Sequence, residues 1–325
     1  MASCLTDTWG RKISYLRLSV TDRCDLRCVY CMAEDMQFLP RAEVLSVENI
    51  VAIAKSFVAL GVKKIRLTGG EPLIRRDIIE ICEGIKALDD APDLVLSTNG
   101  TQLKRLAKPL FNAGVSRLNV SLDSVNPEHF RAMSRVGDLS AVLDGIAAAQ
   151  DAGFQRIKLN CVILKGRNDQ DVIPLVDYAH QHDLNISFIE EMPLGAISSH
   201  ERNMTSLSND KVRELIEQRW NINPTTESTG GPARYFRIQN SETRIGFISP
   251  HTHNFCDSCN RVRITAEGKL VLCLGHENAI NLKPYLNNPD ELQQHIIAAM
   301  ALKPERHQFD VNETKIVRFM NMTGG

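Results

Sequence analysis

Along the first 190 positions, short apolar or β-branched runs alternate with longer stretches of helical spacing. The runs cover residues 15–20, 63–68, 93–98, 117–122, 156–163 and 185–190. Between 46 and 60, Val47, Ile50, Val51, Ala54 and Val58 keep the i, i+3, i+4 spacing of one helix face. Ser46 is placed to cap that helix and Gly61 to follow its end. Segments 75–88, 101–112, 138–152 and 169–182 repeat the pattern, with Gly114 and Gly153 after the second and third of them. Six strand–helix units in series predict a parallel sheet with helices packed outside it. A doubly wound sheet and a barrel both satisfy that order. The unusual residues decide between them. Cys24, Gly69-Gly70-Glu71-Pro72, and residues 97–100, 121–124 and 190–192 all follow strand C-terminal ends, where barrel enzymes gather their active-site loops. The expected fold is therefore α/β: an incomplete (β/α)6 TIM-type barrel over 1–195, with a C-terminal α+β extension over 196–325 covering the open side. That extension is expected to hold a helix at 209–219, hairpins at 233–249 and 261–273, a helix near 289–301 and a mobile end at 322–325.

Composition sharpens this reading in two ways. The 325 residues carry a net charge of −1, so the chain as a whole does not attract nucleic acid or acidic membranes. No apolar run approaches the roughly 18 residues of a membrane span, and the first ten residues lack a signal peptide's apolar stretch. The expected compartment is the cytoplasm, where the nine cysteines are not expected to form structural disulfides. Cys4, Cys82 and Cys161 stand alone and read as small hydrophobes. The other six fall into two trios.

Cys24, Cys28 and Cys31 follow the first strand at a spacing that brings three thiolates to one metal centre. Zinc also takes thiolates, but a structural zinc site wants four protein ligands and no histidine is near in sequence. A 4Fe–4S cluster held by three cysteines keeps one iron open for a ligand. Cys24-Asp25-Leu26-Arg27-Cys28-Val29-Tyr30-Cys31 resembles the CxxxCx(aromatic)C loop of radical S-adenosylmethionine enzymes, and Gly69-Gly70-Glu71-Pro72 resembles their GGEP motif. The resemblance implies a cluster on Cys24, Cys28 and Cys31 that binds and cleaves S-adenosylmethionine to a 5′-deoxyadenosyl radical. It also implies cofactor contacts at Tyr30, Gly70, Ser121 and Met192.

The second trio, Cys256, Cys259 and Cys273, leaves two local readings open. One is a closed zinc site completed by His251 or His253; the other is a second cluster with a free iron. Cys256-Asp257-Ser258-Cys259-Asn260-Arg261-Val262-Arg263, the opening Tyr15-Leu16-Arg17-Leu18-Ser19-Val20-Thr21-Asp22 and the closing Gly324-Gly325 are similar to the GTP 3′,8-cyclase family of molybdenum cofactor biosynthesis. That resemblance spans the whole chain. It implies a second 4Fe–4S cluster whose open iron meets guanine, with His251 and His253 left as loop residues. GTP contacts are implied at Arg17, Arg66, Ser97, Lys158, Arg261, Val262 and Arg263, with Ser97 standing where the family commonly has threonine. Arginine suits the triphosphate because its planar fork donates paired hydrogen bonds to phosphate oxygens. The implied reaction, a lyase reaction, begins with hydrogen abstraction from C3′ of GTP and closes a C3′–C8 bond. The Gly324-Gly325 tail is implied to enter the active site. An electron donor, product transfer to cyclic pyranopterin monophosphate synthase, and a monomer or homodimer complete the expectation. Two other classes stay in view: a peptide-modifying radical enzyme with an auxiliary cluster, and a non-catalytic zinc or electron-transfer protein.

Overall fold

The computed structural model describes residues 4–197, 200–310, 312, 313 and 315–324. Six strands, β1 (Tyr15–Ser19), β2 (Lys64–Thr68), β3 (Asp93–Thr98), β4 (Arg117–Ser121), β5 (Ile157–Val162) and β6 (Asn185–Ile189), lie side by side in chain order, each parallel to the next. Between them run α1 (Val47–Ala59), α2 (Ile78–Lys86), α3 (Leu103–Asn112), α4 (Pro127–Ser134), α5 (Leu139–Asp151) and α6 (Val172–Gln181). Ser46 Oγ caps α1 by accepting from Asn49 N at 3.3 Å, and Gly61 follows it at φ +91°, where a Cβ would be strained. The helix expected from residue 75 begins only at Ile78. Arg75 is used instead as a strap, donating to Val20 O and Leu45 O at 2.6 and 2.9 Å. The sequence reading also missed α4, although Asn126 accepts from Glu128 N and His129 N and Pro127 occupies the first turn, a regular helix start.

The C-terminal part contains α7 (Arg202–Thr205), α8 (Asn209–Glu217), β7 (Ile222–Pro224), β8 (Arg234–Ile238), β9 (Arg244–Ile248), β10 (Arg261–Ile264), β11 (Lys269–Val271), β12 (Ala279–Asn281), α9 (Pro289–Ala299) and α10 (Met320–Thr323). Both expected hairpins form, and they join the barrel sheet rather than making a layer of their own. β9 pairs parallel with β6 at one edge, and β10 pairs parallel with β1 at the other. One sheet of twelve strands results, in the order β12-β11-β10-β1-β2-β3-β4-β5-β6-β9-β8-β7. Each addition pairs backbone donors that a six-stranded sheet would leave bare at its edges.

Strand periodicity sorts the side chains into two faces. Leu16, Leu18, Ile65, Leu67, Leu118, Val120 and Leu159 are buried within the hydrophobic core. The alternate positions are polar: Tyr15 and Arg17, Lys64 and Arg66, Arg117, Asn119 and Ser121, Lys158 and Asn160, Arg261 and Arg263. The barrel thus has an apolar outside packed by helices and a polar inside. No described helix is long and apolar enough to cross a membrane.

The end of the chain corrects an expectation. Residues 322–324 are packed rather than mobile. Asn321 Nδ2 donates to Asp22 O at 2.8 Å, and Arg263 Nη1 donates to Gly324 O at 2.6 Å. Gly324 has φ +74°, and a Cβ there would stand 2.0 Å from Thr68 Oγ1. This glycine serves close approach as well as turning. Gly325 lies outside the described residues.

Candidate active site

The loop after β1 carries Cys24, Cys28 and Cys31, all partly buried. It is fixed to the next strand ends by a hydrogen-bonded lattice. Asp25 accepts from Asn99 Nδ2 and Thr101 Oγ1, both at 2.6 Å. Glu71 accepts from Thr98 Oγ1 at 2.8 Å and from the backbone N–H groups of Leu73 and Asn99 at 2.9 and 2.6 Å. Gly70 lies so close beneath the loop that a Cβ would come within 2.3 Å of Arg23 O. Tyr30 donates to Asp123 Oδ2 at 2.7 Å, while Val162 N donates to Asp123 Oδ1 at 2.8 Å. Glu71, Asn99 and Asp123 are thus supports of the loop.

Burial, and then the Asp123 carboxylate, push the Cys31 thiol up to about 12. Burial followed by Glu71 raises Cys24, and burial followed by Asp123 raises Cys28. Three thiolates amid carboxylates need a cationic partner, and iron held by sulfur supplies one. Among the described residues no three His, Cys, Asp or Glu side chains stand at single-ion spacing. The donor set, thiols alone on a loop closely backed by glycine, fits a thiolate-ligated cluster.

The second trio lies across the barrel. Cys256 is buried, with Cys259 and Cys273 partly so. Burial works to raise Cys259, but Lys303, Arg261 and Arg11 outweigh it and lower the thiol. The two histidines that could have completed a zinc site are engaged elsewhere: His251 Nε2 is 2.9 Å from Glu191 O, and His253 Nε2 is 3.1 Å from Asp210 Oδ1.

Between the trios lies a cavity of about 220 Å³. Tyr30, Ser121 and Met192 form part of its wall, and Cys256, Cys259 and Cys273 form another. Arg17, Arg66, Lys158, Arg261, Val262 and Arg263 line it as well. Val262 is also part of the hydrophobic core, so any role toward a ligand falls to its main chain. Ser97 is outside the wall; its Oγ accepts from Arg66 Nη1 at 3.0 Å, so it acts on the cavity through that arginine. Cys24, Cys28, Cys31, Gly70 and Gly324 are not wall residues either, and the cysteine loop reaches the cavity through Tyr30. Met192 is held from behind. The preceding Glu191 carboxylate lies 2.7 Å from His200 Nε2 and accepts from Arg202 Nε at 2.8 Å.

Among the further wall residues that the sequence reading missed, Tyr15, Lys64, Arg117, Asn119 and Asn160 are polar side chains on the barrel strands. Their signal was the i, i+2 alternation on the strands. Tyr15 is 4% exposed and its hydroxyl accepts from Arg66 Nε. Burial works to raise its phenol, but Arg66, Arg17 and Arg261 bring it down to about 7. Lys158 is lowered to about 7 by burial and by repulsion from Arg66 and Arg117. Burial, with Arg66 and Arg261 adding to it, brings Arg17 to about 10. Asn119 and Asn160 present buried Oδ1 atoms with no hydrogen-bond partner among the described residues. Crowded cations and unpartnered polar atoms around one cavity describe a site for a polyanionic, hydrogen-bonding ligand.

Comparison with known proteins agrees with this geometry. The Radical SAM superfamily model matches residues 18–179, and the Molybdenum Cofactor Synthesis C model matches 184–309. A GTP 3′,8-cyclase of Pseudomonas fluorescens (strain Pf0-1) is 58% identical over 99% of this chain and 98% of its own. One from Marinobacter nauticus is 56% identical over the same shares. Among solved structures, Streptococcus suis SuiB bound to its precursor peptide SuiA has a TM-score of 0.60 at 16% identity, over 83% of this chain and 62% of that one. At that identity the likeness shows the fold alone. Identity above one half over nearly the full length settles the family: this chain belongs to the GTP 3′,8-cyclases, within the radical S-adenosylmethionine superfamily.

Proposed function

We infer that this chain is a GTP 3′,8-cyclase, a lyase that converts GTP to (8S)-3′,8-cyclo-7,8-dihydroguanosine 5′-triphosphate in an early step of molybdenum cofactor synthesis. One observation carries the reading: cations from β1, β2, β4, β5 and β10 converge on a cavity with a cysteine trio in its wall. A cavity of that charge matches a triphosphate.

When bound, a 4Fe–4S cluster with S-adenosylmethionine supplies one-electron cleavage of a sulfonium C–S bond, and so a radical able to take hydrogen from an unactivated carbon. The residues of the chain do the seating and shielding. Cys24, Cys28 and Cys31 would hold that cluster, and Tyr30, Gly70, Ser121 and Met192 would seat S-adenosylmethionine. Arg17, Arg66, Lys158, Arg261 and Arg263 would grip GTP, with Ser97 orienting Arg66 and the Val262 main chain facing the ligand. Cys256, Cys259 and Cys273 would carry a second 4Fe–4S cluster with an iron open to guanine. The reacting carbons belong to one held molecule, so fixing GTP at both ends supplies most of the proximity the ring closure needs. The Gly324-Gly325 tail would enter the site, a reading supported by the Arg263 hydrogen bond to Gly324 O.

We place the boundary between barrel and C-terminal region near residue 195, across a continuous sheet. An external electron donor, hand-over of product to cyclic pyranopterin monophosphate synthase, a cytoplasmic location and a monomer or homodimer complete the reading. The test is anaerobic release of 5′-deoxyadenosine from S-adenosylmethionine with and without GTP. Release that depends on GTP and yields the cyclised nucleotide supports the reading. Release that ignores GTP and requires a peptide would point to the peptide-modifying alternative.

A further inference from the structure

Lys303 follows the helix region at 289–302 and is 3% exposed. Its ammonium reaches Leu272 O at 2.7 Å and Cys259 Sγ at 3.6 Å. No described carboxylate pairs with it. The nearby Asp7 is taken: it accepts from Arg11 Nε at 2.6 Å and from the backbone N–H groups of Trp9 and Arg11. A buried ammonium without a counter-charge costs several kcal/mol, and the side chain this one reaches is Cys259, a candidate cluster ligand.

The surrounding chain is built to keep the ammonium there. Trp9 Nε1 donates to Lys303 O at 3.1 Å. Arg11 donates to Pro304 O and Glu305 O, both at 2.7 Å, and to Cys256 O at 2.9 Å. The N-terminal segment therefore ties Lys303 and the Cys256 loop into one unit. The first trio sits in the opposite field, with Asp25 beside Cys24 and Asp123 bonded to Tyr30.

We propose that Lys303 is a positioning residue of the second cluster site, its buried ammonium, set against Cys259 Sγ, acting as a fixed counter-charge that raises the reduction potential of the cluster carried by Cys256, Cys259 and Cys273. The inference rests on the reading of that trio as an iron–sulfur site. Reduction adds negative charge to a cluster, so a cation hydrogen-bonded to a ligand sulfur stabilises the reduced form more than the oxidised one.

The test uses the full chain with Cys24→Ser, Cys28→Ser and Cys31→Ser, so that only the second site loads. After anaerobic reconstitution, iron and sulfide content and the midpoint potential, followed by electron paramagnetic resonance, are compared for this parent, K303M and K303R. K303M is expected to shift the potential to more negative values, and K303R to return it toward the parent. If K303M instead loses iron while its circular dichroism and thermal transition stay those of the parent, and K303R regains the iron, the counter-charge is read through loading. A K303M protein with the parent's iron content and potential overturns the proposal. So does a K303R protein that restores neither, because the role would then be shape rather than charge. A parent that binds zinc, or no iron, removes the iron–sulfur reading itself, and does so before Lys303 is touched.

Discussion

Lys158 sits on the inner face of β5 among Arg66, Arg117 and Arg17, with the Tyr15 phenol as the group of opposite sign. Lys158 and Tyr15 are both brought to about 7, so the ligand-free cavity changes charge near neutrality. As pH rises, Lys158 loses its positive charge and Tyr15 gains a negative one; both changes oppose a triphosphate. GTP affinity is thus expected to fall between about pH 6 and 8, with a shallower fall in K158M and in Y15F. Equilibrium dialysis of the three proteins checks this, and the comparison cancels the titration of GTP itself. Equal slopes in all three would count against the assignment. Arg17→Ala, which removes a charged donor, is expected to cost about 2 kcal/mol, or roughly thirtyfold in GTP affinity. Iron content should not change. Arg17, Arg66, Lys158, Arg261 and Arg263 could be named from the sequence because their neighbourhoods matched a known family. Tyr15 opens one of those motifs without being singled out in it, Lys64 and Asn160 lie outside them, and only the alternation along the strands marks all three as inward-facing.

At the level of elements, β1 to β6 were legible because each is a compact apolar run bounded by turn residues. What the sequence could not state was which edges the C-terminal hairpins would join. Pairing of β9 with β6 and of β10 with β1 depends on contacts between segments far apart in the chain, and local patterns carry no such information. The consequence is functional: β10 brings Arg261 opposite Tyr15 and Arg263 opposite Arg17 in register. The loop after β1 depends equally on a close contact with the loop after β2. Gly70→Ala would drive a methyl group into the Arg23 and Asp22 backbone, at 2.3 and 2.6 Å. The expected outcome is loss of iron from the first site and of S-adenosylmethionine cleavage, with the fold retained. Iron analysis beside circular dichroism reads both. Gly324→Ala meets Thr68 Oγ1 at 2.0 Å and is expected to displace the tail, lowering turnover while both sites keep their iron.

The whole molecule has a net charge of −1, yet Arg17, Lys64, Arg66, Arg117, Lys158, Arg261 and Arg263 all line one cavity. Their mutual repulsion opposes folding until an anion arrives. Inorganic triphosphate alone is therefore expected to raise the melting temperature, and guanosine much less. At a hundred times its dissociation constant a ligand contributes about 2.7 kcal/mol, and added salt should reduce the shift. A thermal scan in which guanosine stabilises as strongly as triphosphate would contradict this view of the cavity. The central claim is that radical chemistry started at Cys24, Cys28 and Cys31 acts on GTP held before Cys256, Cys259 and Cys273. Its most direct measurement is an anaerobic reaction with GTP deuterated at C3′, analysed by mass spectrometry. The account predicts deuterium in 5′-deoxyadenosine and a 3′,8-cyclised nucleotide lacking it; unlabelled 5′-deoxyadenosine with GTP unchanged would contradict it.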